Sequence, residues 1–319
     1  MSEVTNALGR TTSRASAAAV GAVGALLALA LSALGVDPGL RWRIVLAFGA
    51  VPALSVLYLR RMMPETARFL ARLAGDPDAA ATVIAEISGE RPKAPPPRDR
   101  RSLGEVFAAH AGPIFGAALI WMLFDIVIYS GILFGPSLIA KGLGMSAGVF
   151  GLLVPVLFIL PAAVLGALLV DRVGRKPLTV LGFAGSAVSL GLFAWFHDAA
   201  MAAPVFGFAL FGLYNVMIVV GPGTVAGAGL LGVEVSPTRV RSIGQAVTVV
   251  GGRIGASTSA FLFPVLFGMI GEQGVIWLLA VTSVVGAIAT MLVIPETARR
   301  SLEAINADGD AALVAAGAD

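Results

Sequence analysis

Long apolar runs separated by short polar breaks dominate the chain. A membrane-spanning helix needs roughly 20 apolar residues. Eight segments meet that length, at about 15–36, 42–60, 110–136, 149–170, 177–197, 203–233, 242–270 and 274–294. The first is longer than the apolar core of a cleaved signal peptide and another span follows at once, so it is read as a span. Between the second and third runs lies a polar stretch, 63–109. There Asp76 and Pro77 predict the start of a short helix, "RPKAPPPRDRR" predicts an extended basic linker, and Ser102–Glu105 predicts a capping box for the third span. The residues after Arg300 are polar and acidic and predict a disordered tail. The pattern predicts an all-α membrane protein.

Composition agrees. Apolar residues make up 57% of the 319 and charged residues 13%, about half the charged share of a soluble domain. Thirty-nine glycines fit helices that pack closely in lipid. The calculated pI of 9.7 therefore does not argue for nucleic acid. Cysteine is absent, which excludes disulfides and thiolate metal sites.

The basic residues fix an expected orientation, since Lys and Arg favour the cytoplasmic side. With the N-terminus inside, the inner segments hold Arg10 and Arg14, nine basic residues in 60–101, three in 172–176, Arg239 and Arg241, and Arg299 and Arg300. The outer loops hold Arg41, Arg43 and Lys141, and Arg253 alone lies inside a span. Both termini are expected in the cytoplasm.

The word "PETAR" occurs at Pro64–Arg68 and again at Pro295–Arg299, each time where a span exits inward. Proline would end the helix and arginine anchor it at the membrane surface. The repeat is either coincidence in an Ala/Arg-rich chain or the trace of two halves built from one unit. On the second reading the later half runs from about 109 to 300 with six spans, and only two spans precede the first copy. The chain then corresponds to the last eight helices of a twelve-helix protein: 1–62 as two spans of an N-terminal bundle, 63–109 as a central loop, 110–300 as a six-span bundle and 301–319 as a tail.

The arrangement resembles the major facilitator superfamily. "RWRIVLAFGAVPALSVLYLRRMMPETARFL" (Arg41–Leu70) is similar to the sixth span and exit of the phosphate:proton symporter branch. "WMLFDIVIY" (Trp121–Tyr129) is similar to that branch's seventh span. "DRVGRKP" (Asp171–Pro177) and "EVSPTRVRSIGQA" (Glu234–Ala246) resemble superfamily loop motifs. The resemblance implies a proton-coupled symporter of phosphate or a related anion in the plasma membrane. A sugar or organic-acid transporter, and a fragment that transports only with a partner, are the alternatives. The branch has Lys where Arg253 stands, and Gly-Pro-Asn where this chain has Gly-Pro-Gly.

The residues speak beside the family. Trp121, Asp125 and Tyr129 recur every four positions and drift only about 80° around a helix, so they form one stripe. A mid-membrane carboxylate costs on the order of a few kcal/mol unless it is protonated or faces a partner or water. Asp125 is thus a candidate seat for a carried proton, or a structural acid paired with a neighbour. Trp121 and Tyr129 can each donate one hydrogen bond to an anion. Arg253, about 18 Å deeper than Arg241 along a helix, can grip an oxyanion with two bonds or form a static bridge to Asp125. Pro222 and the glycines from Gly212 to Gly232 predict a bend or unwound section, with Tyr214 and Asn215 as site candidates before it; close packing is the other reading. Asp171, Arg172, Gly174, Arg175, Lys176, Glu234, Arg239 and Arg241 are read as a cytoplasmic gate, or as plain positive-inside anchoring. His110 and His197 fall at opposite faces, so no metal site is expected. With no P-loop and no nucleophile–base set, neither an enzyme nor a cofactor is expected. The expected partners are a small anion, a proton and the lipid bilayer.

Overall fold

The computed structural model describes residues 23–24, 26–28, 30–60, 82 and 102–298. The first "PETAR", most of the central loop and the tail lie outside them, as do residues 15–22, 25 and 29 of the first expected span. The described residues form helices and no strands, and six of these helices are long and apolar enough to cross a membrane. They are α1 (Pro38–Arg60), α2 (Leu103–Gly142), α3 (Ala147–Val173), α4 (Arg175–Trp195), α5 (Pro204–Glu234) and α6 (Arg241–Val293). The last is two spans in one, because Gly271 at φ 72°, ψ 176° breaks it near the middle. The ends fall within a few residues of the apolar runs, except that α2 starts seven residues earlier and runs six further.

Local chemistry sets the ends. Ser102 and Glu105 form the expected capping box: the Glu105 N–H donates to Ser102 Oγ at 3.2 Å and the Ser102 N–H to Glu105 Oε2 at 2.7 Å. Ser146 caps α3 through the Val149 N–H. Between α3 and α4 the chain turns on Gly174 alone, at φ 104°, a region closed to most side chains.

Three wide π-helical segments interrupt the spans, at Gly135–Ile139, Pro155–Ile159 and Val219–Gly227. Each contains a proline: Pro136, Pro155 and Pro222. Proline lacks an N–H and its ring crowds the carbonyl four residues back, and a widened turn relieves both. The expected bend in α5 is therefore a π-helix and not an unwound stretch. Its glycines pack: a Cβ on Gly221 would lie 2.5 Å from Gly182 Cα on α4, and one on Gly227 2.5 Å from the Phe124 ring of α2.

The core lies among α2, α3, α4, α5 and α6, around Phe150, Phe183, Phe193, Tyr214 and Phe263, each at most 2% exposed. Gly251 lets α6 ride on the α2 backbone, since a Cβ there would lie 2.5 Å from the Ala118 carbonyl oxygen. In contrast, α1 has no buried side chain among those described, and Leu46, Leu54 and Tyr58 are all about two-thirds open.

Candidate functional site

On α2, Trp121, Asp125 and Tyr129 form the expected stripe, facing α6. Asp125 is buried, and the indole N–H of Trp121 donates to its carboxylate. Trp121 and Tyr129 are half-buried. Arg253 comes from α6 and is exposed. Its Nη1 donates to Tyr129 Oη at 3.3 Å, and its charge acts on Asp125. No ion pair joins Asp125 and Arg253, so the static bridge weighed above is not the arrangement. The guanidinium lines an open groove with Val250, Ile254, Ser257, Thr258, Phe261 and Leu262. A buried carboxyl, two aromatic side chains with polar hydrogens and an accessible guanidinium thus meet in one place.

Sequence reasoning missed the residue that lets them meet. Gly252 has no side chain, and a Cβ there would lie 2.6 Å from Cδ1 and Nε1 of Trp121 and 2.9 Å from Asp125 Oδ2. The stripe docks directly on the α6 backbone beside Arg253.

Tyr214 and Asn215 are buried on α5 and bond elsewhere. Tyr214 Oη donates to the Val127 carbonyl at 2.9 Å, and Asn215 Nδ2 to the Phe211 carbonyl at 2.8 Å. The structure brings neither polar group into the cluster.

The expected gate residues gather at the end of the bundle where α3 ends and α4 begins. Arg175 is 8% exposed and sits at the centre. Its Nε and Nη2 donate to Glu234 Oε1 at 3.1 and 2.9 Å, and its Nη1 meets Asp171 Oδ1 at 2.9 Å and the Val170 carbonyl at 3.2 Å. The second "PETAR" completes the knot. Thr297 Oγ1 donates to Glu234 Oε2 at 2.6 Å. The Glu296 carboxylate accepts the backbone N–H groups of Arg175 and Lys176 at 3.0 and 3.1 Å. An acid from the end of α6 thus caps the positive N-terminus of α4. Gly174 is required here as well, since a Cβ would lie 2.8 Å from Glu296 Oε2. The second copy of the word therefore does more than stop a helix: its Glu296 and Thr297 tie the ends of α4, α5 and α6 together. Arg172 is exposed, Lys176 joins through its backbone, and Arg241 bonds the Ser236 carbonyl and Thr238 Oγ1. Arg239 is half-buried in the same turn. Among the described residues no group of His, Cys, Asp and Glu has the number and placement to hold a metal ion.

Known proteins resemble this chain in sequence and in fold. The profile of the Sugar (and other) transporter family matches residues 10–308. A probable inorganic phosphate transporter 1-12 of Oryza sativa subsp. japonica is 30% identical over 310 residues, covering 84% of this chain and 56% of that protein. The low affinity inorganic phosphate transporter 4 of Lotus japonicus is 31% identical over 296 residues, with 84% and 55% covered. The chain spans about half the length of the curated relatives it matches. Among solved structures, the proton:xylose symporter XylE bound to 6-bromo-6-deoxy-D-glucose superposes with a TM-score of 0.69 at 21% identity, over 84% of this chain and 59% of that one. That likeness shows the fold. The chain belongs to the Sugar (and other) transporter family, of the major facilitator superfamily, and is a multi-pass membrane protein.

Proposed function

We propose that this chain carries the substrate cluster of a proton-coupled symporter for inorganic phosphate or a related oxyanion. The observation that carries the reading is the cluster of Trp121, Asp125, Tyr129 and Arg253, supported by relatives named as inorganic phosphate transporters. In this reading the membrane is the plasma membrane, both termini face the cytoplasm, and the chain divides at 62, 109 and 300 as its apolar pattern divides. The Arg175–Glu234 knot is then the cytoplasmic gate.

The cluster couples the two ligands electrostatically. Ionised Asp125 repels an anion and draws the positive charge of Arg253 toward itself. Protonated, it leaves the guanidinium free for the anion, with the Tyr129 hydroxyl and, once Asp125 no longer claims it, the Trp121 indole as further donors. Proton and anion then favour each other's binding, which symport requires.

Uptake of labelled phosphate into proteoliposomes, with and without an imposed pH gradient, tests this. Asp125→Asn mimics the protonated state, so it should keep anion exchange and lose gradient-driven accumulation. Arg253→Ala should weaken anion binding itself. Accumulation by Asp125→Asn with an unchanged pH profile would place the proton elsewhere. No uptake by the wild-type chain would favour a fragment that works only with a partner.

A further inference from the structure

At the opposite end of the bundle two ionisable side chains are unaccounted for. Glu272 opens the second half of α6, immediately after the break at Gly271. Its neighbour Gln273 donates from Nε2 to the Ala194 carbonyl at 2.8 Å, which ties that turn to the last turn of α4. His197 lies just past the end of α4, and when protonated its charge acts on Glu272. Glu272 Oε1 and His197 Nε2 are both buried, and neither has a hydrogen-bond partner. A buried polar atom without a partner costs about 1–3 kcal/mol. Two such atoms on elements already tied together call for a shared occupant.

The surroundings say what it is. Glu272 lines a cavity of about 40 Å³ between α2, α4, α5 and α6, more than the roughly 10–15 Å³ that one water needs. The rest of the wall is mostly apolar, with Phe134, Phe193, Phe211 and Phe267 among its members. Its other polar side chains are satisfied, as Ser130 Oγ and Tyr214 Oη both donate to the Val127 carbonyl. Tyr214 is the other titratable group among the described residues that line it. Away from the cavity, the exposed Asp198 carboxylate is bonded to His197 Nδ1 at 3.2 Å. Because that carboxylate accepts, Nδ1 carries a hydrogen and Nε2 is left to gain or release one. The imidazole and the carboxyl are then two seats for one proton.

We propose that His197 and Glu272 form a second proton-binding site, separate from Asp125, at the ends of α4 and α6 that flank Gly271. The proton passes from water to the pair without any other co-reactant. The site stands whether or not Asp125 carries a coupling proton.

Infrared difference spectra of the purified full chain in nanodiscs, recorded across a pH titration, test it. A protonated-carboxyl band should be lost in Glu272→Gln and kept in Asp125→Asn. In His197→Gln the midpoint of that band should move, because its partner seat is gone. If Glu272→Gln leaves every titrating carboxyl band in place, the site does not exist. If that band disappears in Glu272→Gln but titrates unchanged in His197→Gln, the proton is not shared and the proposal fails. Should Glu272→Gln not fold, the His197→Gln midpoint alone decides: an unmoved titration overturns the pair.

Discussion

Where α3 gives way to α4, Asp171, Arg175, Glu234, Glu296 and Thr297 arrive from four parts of the chain and close into one network. Every carboxylate there has a donor. At the other end, His197 and Glu272 are also brought inside, yet each keeps a buried atom without a partner. The two ends share the same helices and the same apolar surroundings. They differ in how the cost of burial is met. A buried charge with its full set of donors is expensive to disturb, so the network holds its helices in one arrangement. A buried group lacking a partner changes state cheaply, because taking up a proton or a water relieves it.

The comparison breaks most visibly at Arg175. Arg175→Ala leaves Glu234 buried without its cation, and should lower the stability of the purified chain by about 3–5 kcal/mol in thermal or denaturant unfolding. A loss below about 1 kcal/mol would show that the network is not buried in the working protein. Next comes Glu296→Gln, which removes the charge that caps α4; a loss of about 1–2 kcal/mol is expected. Gln273→Ala cuts the tie to Ala194 and should cost about 1 kcal/mol. The smallest effect is expected at Glu272→Gln, within about 0.5 kcal/mol, since no donor is lost. If Glu272→Gln destabilises as much as Arg175→Ala, the two ends are built alike and the contrast falls.

These two regions also separate what the sequence discloses from what it hides. Helix positions were legible because a span must satisfy its backbone internally and cover it with apolar side chains, which leaves an uninterrupted run. The stripe on α2 was legible because period and cost both mark it: Asp125 is an acid where acids are costly. Arg253 stood out as the lone base within a span. The π-helical segments were hidden, because one extra residue per turn hardly alters an apolar run, although each of their prolines was in view. Glu296 and Thr297 were visible as a repeated word but not as caps, since their partners lie more than 60 residues away and as many as 121. Gly252 was one of 39 glycines, and only the contact with Trp121 and Asp125 sets it apart. Glu272 sits at a break between two spans, where an acid is ordinary; its burial appears only once α4 is packed against it. Tyr214 and Asn215 read as site residues because polar groups before a break invite that reading; in the structure each donates to a backbone carbonyl away from the cluster.

The cap on α4 has a consequence for the order in which the protein is built. Arg175 and Lys176 leave the ribosome about 120 residues before Glu296. Through that interval, while α5 and both legs of α6 are made, the backbone donors at the start of α4 await their acid, and water or lipid headgroups must serve them. Glu234 meets Arg175 earlier, but Thr297 reaches it only near the end of the described chain. Assembly of these helices therefore closes with a late checkpoint: a nascent chain halted before residue 296 has the described spans through α6 and lacks the fastening that ties the ends of α4, α5 and α6 together.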